Sequence, residues 1–115
     1  MTASEPILAM DFGTSTSAAA LVAGDETILI KEPSSGSWSW PSAVYLDDSG
    51  TLLVGTQAER RKRVRPASYR AEFKRDLGQE APVILGERTF RPEQLVTEMI
   101  TALRAEAERD RKSVV

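Results

Sequence analysis

No cysteine and no histidine occur among the 115 residues. The first absence removes disulfides and thiol nucleophiles; with the second, a zinc site and a serine–histidine pair are also excluded. No apolar run approaches the ~18 residues that a membrane-spanning helix needs. The N-terminus lacks the basic start and apolar centre of a secretory leader. A cytoplasmic protein with no membrane contact is the expectation. An excess of one charge is missing as well: 15 lysines and arginines face 17 aspartates and glutamates, and a net charge of −2 speaks against a general nucleic-acid-binding surface. Chemistry is left to carboxylates, hydroxyls, lysine, arginine and backbone amides. The length suits one domain with a modest core.

One stretch brings most of those groups together: Ala9-Met10-Asp11-Phe12-Gly13-Thr14-Ser15-Thr16-Ser17. Pro6 to Met10 reads as a buried strand and Ser17 to Ala23 as a second strand returning beside it. Between them, Gly13 can take a positive φ and let the backbone approach a ligand closely. The N–H groups of Thr14, Ser15 and Thr16 can form an anion-binding concavity, with their hydroxyls as further donors. Asp11 is placed to hold a hydrated Mg²⁺, an ion that needs only one or two carboxylates beside substrate phosphates. An ordinary hairpin, with Asp, Gly, Thr and Ser present for turn chemistry alone, accounts for these nine residues equally well.

Further along, Gly24-Asp25 predicts a tight turn into a third, antiparallel strand over residues 26–30. Pro33-Ser34-Ser35-Gly36-Ser37 breaks the composition and is taken as a subdomain boundary. A strand over residues 42–46 and a partner over 51–54 flank the turn Asp47-Asp48-Ser49-Gly50. Thr56-Gln57-Ala58-Glu59 has the form of a capping box, in which Thr56 bonds the amide of Glu59 and Glu59 reaches back, and predicts a helix that ends before Pro66. Residues 68–77 fit either period, with a short helix ending at Gly78 preferred. Gly86-Glu87 predicts a type II′ hairpin between residues 83–85 and 88–90. Pro92 suits the first position of a long helix with Leu95, Val96, Met99, Ile100, Leu103 and Ala107 on its apolar side and Glu98, Arg104, Glu106, Glu108 and Arg109 opposite.

Two features invite a functional reading and have plainer alternatives. Arg60, Arg61, Lys62, Arg63 and Arg65 form a basic run; without interleaved aromatics it reads better as a solvated face than as a nucleic-acid contact. Trp38 and Trp40 can serve as a recognition pair, but packing beneath a loop is the commoner use.

The order of these features resembles a family. Met10-Asp11-Phe12-Gly13-Thr14-Ser15-Thr16-Ser17 is similar to the first phosphate motif of the actin-like ATPases, and specifically of the DnaK-type, seventy-kilodalton heat-shock chaperones. Trp40-Pro41-Ser42-Ala43-Val44 resembles that family's Thr-Pro-Ser-Val-Val segment, and Leu53-Val54-Gly55-Thr56-Gln57-Ala58 its Leu-Val-Gly-Gln-Ala-Ala segment. Phe73-Lys74-Arg75-Asp76-Leu77-Gly78 resembles Lys-Arg-Leu-Ile-Gly, and Arg91-Pro92-Glu93-Gln94-Leu95 the Ser-Pro-Glu-Glu start of a long helix.

The resemblance implies an α/β chain forming part of one lobe of an actin-like (ribonuclease H-like) ATPase. Residues 1–34 would supply strands of the lower subdomain with the phosphate loop, and residues 35–115 an α+β upper subdomain. It further implies ATP or ADP with Mg²⁺ as ligands: Asp11 in the metal's water shell, Gly13, Thr14, Ser15 and Thr16 around the β- and γ-phosphates, and Lys74 at the γ-phosphate as the catalytic residue. The parent would bind and release unfolded polypeptides with a J-domain co-chaperone and a nucleotide-exchange factor. The chain would then be a piece of a longer protein, without turnover alone, and Ser113-Val114-Val115 would begin another strand. Three departures accompany the match. Arg91 stands where the family's serine would cap the long helix, a loss of ~1 kcal/mol. Residues 79–90 are a shortened stretch, and Trp38 and Trp40 replace a polar, basic loop. The alternative readings are a non-catalytic binding or self-associating module, and another actin-like or sugar-kinase ATPase that shares only the phosphate motif.

Overall fold

Alternating side chains and tight turns build the first sheet. The computed structural model describes residues 5–114, with side chains through Arg109. Strand β1 (Ile7–Phe12) pairs antiparallel with β2 (Thr16–Ala23), and β2 with β3 (Glu26–Leu29). The short β4 (Trp40–Pro41) returns to pair with the first two residues of β2, so that Ser17 lies opposite Trp40. A second sheet has the order β6 (Leu52–Val54), β5 (Ala43–Leu46), β7 (Tyr69–Ala71), all antiparallel. β8 (Val83–Leu85) and β9 (Arg88–Phe90) form a separate hairpin. Gly24 and Gly86, each first in its two-residue turn, have φ of +61° and +60° while the residues after them do not turn left-handed. That is the type II′ pattern expected at Gly86-Glu87.

Every side chain of β5 is buried, because its two faces meet different apolar groups. Val44 and Leu46 join the main core, whereas Ala43 and Tyr45 pack with Ala58 in a smaller cluster. The main core is closed by α2 (Pro92–Val114), whose Leu95, Met99, Leu103 and Ala107 are buried against Ala19, Leu21, Ile30, Trp40, Phe73, Leu85 and Phe90. The buried stripe is narrower than the sequence pattern, since Ile100 is 37% exposed. α2 starts at Pro92 as predicted. The serine cap that Arg91 lacks is partly replaced from within the helix: the Gln94 carboxamide oxygen accepts the Arg91 N–H at 2.7 Å, the returning half of a capping box. Ser113 and Val114, expected to open a further strand, are the end of α2, and Val115 lies outside the described residues. The run from Ala102 to Lys112 holds no glycine or proline to end the helix. No helix among the described residues is long and apolar enough to cross a membrane.

Three local expectations yield to tertiary contacts. The capping box does not form. The residue before α1 (Thr56–Glu59) is Gly55, with no side-chain cap, and the Thr56 hydroxyl donates to the carboxylate of buried Glu32, which also accepts the Thr56 N–H at 2.8 Å and the Ser35 hydroxyl at 2.7 Å. Gly55 leaves room for this acid, because a Cβ there would lie 2.0 Å from Glu32 Oε2. The helix lasts one turn rather than reaching Pro66: four consecutive cations, Arg60 to Arg63, repel one another and no apolar face follows to be buried.

Residues 68–77 divide instead of forming one helix. β7 is drawn into the sheet by pairing with β5, and a 3₁₀ turn over Phe73–Asp76 follows Glu72, whose φ is +54°. The two tryptophans also part. Trp40 is buried and its indole N–H donates to the Ile30 carbonyl at 3.1 Å, whereas Trp38 is 52% exposed with the Lys31 ammonium 5.2 Å from its ring.

Asp47 organises the β5–β6 turn, accepting from the Ser49 hydroxyl (2.6 Å) and from the amides of Ser49 and Thr51 (3.0 Å each). The Ser49 hydroxyl foremost, then the Thr51 amide, holds its carboxyl below the ordinary carboxylate value. Because the folded-state pKa is the lower one, this contribution is complete above the ordinary range and is lost as pH falls through the folded value. Amide-exchange protection of Ser49 and Thr51 should therefore decline on acidification below about pH 4, and Asp47→Asn should abolish that pH dependence. For the core, urea unfolding should find Leu103→Ala destabilising by ~2–5 kcal/mol and Ile100→Ala by less than ~1 kcal/mol.

Candidate functional site

β1 approaches the loop with its side chains alternating. Leu8, Met10 and Phe12 lean on the core, while Ile7, Ala9 and Asp11 occupy the opposite, exposed face. Asp11 lies opposite Ala18 one residue before the strand ends, and its carboxylate has no hydrogen bond or ion pair among the described residues. The chain then reverses over residues 13–16, closed by the Gly13 N–H donating to the Thr16 carbonyl at 3.0 Å. Glycine is required here for space, which corrects the expected positive φ. Gly13 is not among the left-handed glycines, whereas a Cβ on it would sit 2.5 Å from the Thr16 carbonyl oxygen.

Four carbonyls around this turn are engaged. Lys74 Nζ donates to Phe12 O at 2.8 Å, Ser42 Oγ to Gly13 O at 2.9 Å, Ser42 N–H to Ser15 O at 2.9 Å, and Gly13 N–H to Thr16 O. The N–H groups of Thr14 and Ser15 and the hydroxyls of Thr14, Ser15 and Thr16 find no acceptor among the described residues. Thr14 is half-buried, and Ser15 and Thr16 are exposed. Two successive amides and three hydroxyls on one accessible turn form a donor set for an anion.

Lys74 is carried there by its neighbour. Phe73 is fully buried and meets the Phe12 ring at 5.7 Å between centroids, tilted by 37°. With Phe73 anchored, Lys74 stays exposed beside the loop, its ammonium 5.8 Å from the Phe12 ring centre. The structure thus joins Lys74 to the loop from 62 residues away, whereas Asp11 reaches it only as a chain neighbour.

Two residues of the site had no assigned role in the sequence. Ser42 and Ser17 are both buried, and their hydroxyl oxygens are 2.8 Å apart across 25 residues of chain. Both stand in segments of the family resemblance, but only the β2–β4 pairing, with Ser17 opposite Trp40 and Ser42 bonded to Ser15 just beyond, brings the two hydroxyls together. The described residues contain no group of three or more carboxylates that could hold a metal ion alone. A single exposed carboxylate fits a magnesium ion only as one ligand of a phosphate-bound, hydrated ion.

The fold and loop define a mixed α/β chain with small antiparallel sheets and an accessible turn rich in hydrogen-bond donors. No protein-family model matches it. The chain is similar to curated chaperone proteins named DnaK: 30% identical over 111 residues to that of Methanothermobacter thermautotrophicus, 36% over 107 residues to that of Halobacterium salinarum, and 32% over 105 residues to that of Endomicrobium trichonymphae. These alignments cover 94%, 92% and 89% of the chain but 19%, 17% and 17% of the relatives. The chain is therefore DnaK-like along most of its length and spans less than a fifth of the curated relatives it matches.

Because the Gly13 requirement is steric, Gly13→Ala should destabilise the chain by ~1–3 kcal/mol in urea unfolding. In amide-exchange measurements it should also open the hydrogen bond between Gly13 and Thr16.

Proposed function

We propose that this chain is the phosphate-binding portion of the nucleotide-binding domain of a DnaK-type chaperone with an actin-like (ribonuclease H-like) ATPase fold. The observation that carries this reading is the loop itself: the carbonyls of Phe12, Gly13, Ser15 and Thr16 are engaged, its Thr14 and Ser15 amides are free among the described residues, and a lysine ammonium is bound at its edge. The similarity to DnaK supports the same assignment.

In this reading ATP or ADP enters with Mg²⁺. Gly13 leaves room for the backbone to close up, and the amides and hydroxyls of Thr14, Ser15 and Thr16 donate to phosphate oxygens. Asp11 accepts hydrogen bonds from waters of the metal, which supplies charge neutralisation at the phosphates when bound. Lys74 exchanges its Phe12 carbonyl for a phosphoryl oxygen, where a compact ammonium offsets developing negative charge. In the parent protein, hydrolysis would drive binding and release of unfolded polypeptides, with a J-domain co-chaperone and a nucleotide-exchange factor as partners. Residues 1–34 and 35–115 would belong to its lower and upper subdomains. Affinity of the isolated chain should be weak, because few contacts are available to offset the ordering of the ligand.

Calorimetric titration with Mg-ATP tests this. Weak, magnesium-dependent binding is expected, abolished by Asp11→Ala and reduced about tenfold by Lys74→Ala, the loss of one charged hydrogen bond. Absence of heat up to millimolar nucleotide would overturn the assignment for this chain and favour a self-associating module.

A further inference from the structure

We propose that Ser42 is a positioning residue for the phosphate loop, holding two of its peptide planes from one buried point. The ligand in this proposal rests on the function proposed above; the geometry does not. A trans peptide is rigid, with its C=O and N–H pointing in opposite directions. Ser42 Oγ holds the Gly13 carbonyl and Ser42 N–H holds the Ser15 carbonyl, each at 2.9 Å. The first contact turns the Thr14 N–H away from Ser42, and the second does the same for the Thr16 N–H.

The hydroxyl pair has a direction. Ser42 has one hydroxyl proton and spends it on Gly13, so the 2.8 Å contact with Ser17 must carry the Ser17 proton to Ser42 Oγ. Ser17 therefore orients Ser42, and Ser42 orients the loop. Both hydroxyls are buried, at 2% and 1% exposure, so water cannot replace either one cheaply. Two neighbouring hydrogen bonds fix Ser42 in turn: its carbonyl accepts the Glu72 N–H at 3.1 Å, and Gly55 N–H bonds the adjacent Ala43 carbonyl at 3.0 Å. Glu72 immediately precedes the turn that carries Lys74. Ser42 thus relates the amides and the lysine of one site, although it faces neither solvent nor ligand.

The roles are unequal, which a packing role would not produce. Ser42→Ala removes the grip on the Gly13–Thr14 plane; Ser17→Ala leaves Ser42 able to donate to Gly13. Amide NMR of the full chain titrated with Mg-ATP reads the difference, with Ser42→Ala, Ser42→Thr, Ser17→Ala and, as a control deletion of a remote buried hydroxyl, Ser68→Ala. We expect Ser42→Ala to raise the titration midpoint about tenfold and to diminish the Thr14 amide response. Ser17→Ala should raise it less, Ser42→Thr should restore it, and Ser68→Ala should leave it unchanged.

A Ser42→Ala response equal to the wild type, or matched by Ser68→Ala, overturns the proposal, as does failure of a folded Ser42→Thr to restore binding. Should Ser42→Ala not fold, Ser17→Ala decides: an unchanged midpoint overturns the proposal. Should the wild type bind no nucleotide, the proposed function fails on its own. Gly13 amide protection and the Thr14 resonance of the free protein then judge Ser42: both altered in Ser42→Ala sustains its positioning role, and both unchanged removes it.

Discussion

Burial of one narrow helical stripe holds the three sheets together. Leu95, Met99, Leu103 and Ala107 of α2 lie against residues from the first sheet (Ala19, Leu21), the second (Val44, Leu46) and the separate hairpin (Val83, Leu85, Phe90). Sheets of two to four short strands are marginal alone and become stable when an apolar face is covered. The helix provides that cover at intervals of four residues along a single face. Phe73 belongs to the same core, and this connects the packing to the site: the residue that seats the 3₁₀ turn against Phe12 and the core is the one that delivers Lys74 to the loop.

The loop shows how backbone polarity can be sorted without any secondary structure. Four of its carbonyls, those of Phe12, Gly13, Ser15 and Thr16, are taken by a lysine, a buried serine and a cross-turn amide, leaving the Thr14 and Ser15 amides and three hydroxyls as donors on the accessible side. Buried polar groups must be paired, so the bonds made by buried Ser42 offset a desolvation cost while they fix the donors outside. Glu32 illustrates the same rule elsewhere. Its carboxylate is enclosed but accepts the Thr56 amide, the Thr56 hydroxyl and the Ser35 hydroxyl. Among the described residues no buried side-chain polar atom lacks a partner.

Elements whose signals are local and strong were legible in the chain. Gly24-Asp25 and Gly86-Glu87 encode their hairpins because a glycine at the first turn position selects one turn type. Pro92 and the spacing of Leu95, Met99, Leu103 and Ala107 encode α2, since position and period both act within a few residues. Signals that depended on a distant partner were misread. Thr56 has the right residue type for a cap, but a buried carboxylate 24 residues away takes its hydroxyl. Tyr69, Phe73 and Leu77 are spaced as a helix, yet Tyr69 pairs with Tyr45 and Leu77 is exposed. Ile100 has an apolar side chain in phase with the stripe but lies at its edge.

By itself, the sequence determined the repertoire: no thiol or imidazole chemistry, a strand–glycine–hydroxyl turn after Asp11, one long amphipathic helix, and two tight hairpins, the second of type II′. Each follows from residue type or from a period that spans a few positions. Tertiary structure alone decided that Lys74 meets Phe12, that Ser42 meets Ser17, and that Gly13 is needed for space instead of a left-handed φ. The first two outcomes turn on which strands and turns pack together, set by residues far apart in the chain; the third turns on how closely the Thr16 carbonyl approaches Gly13 when the chain reverses between two paired strands.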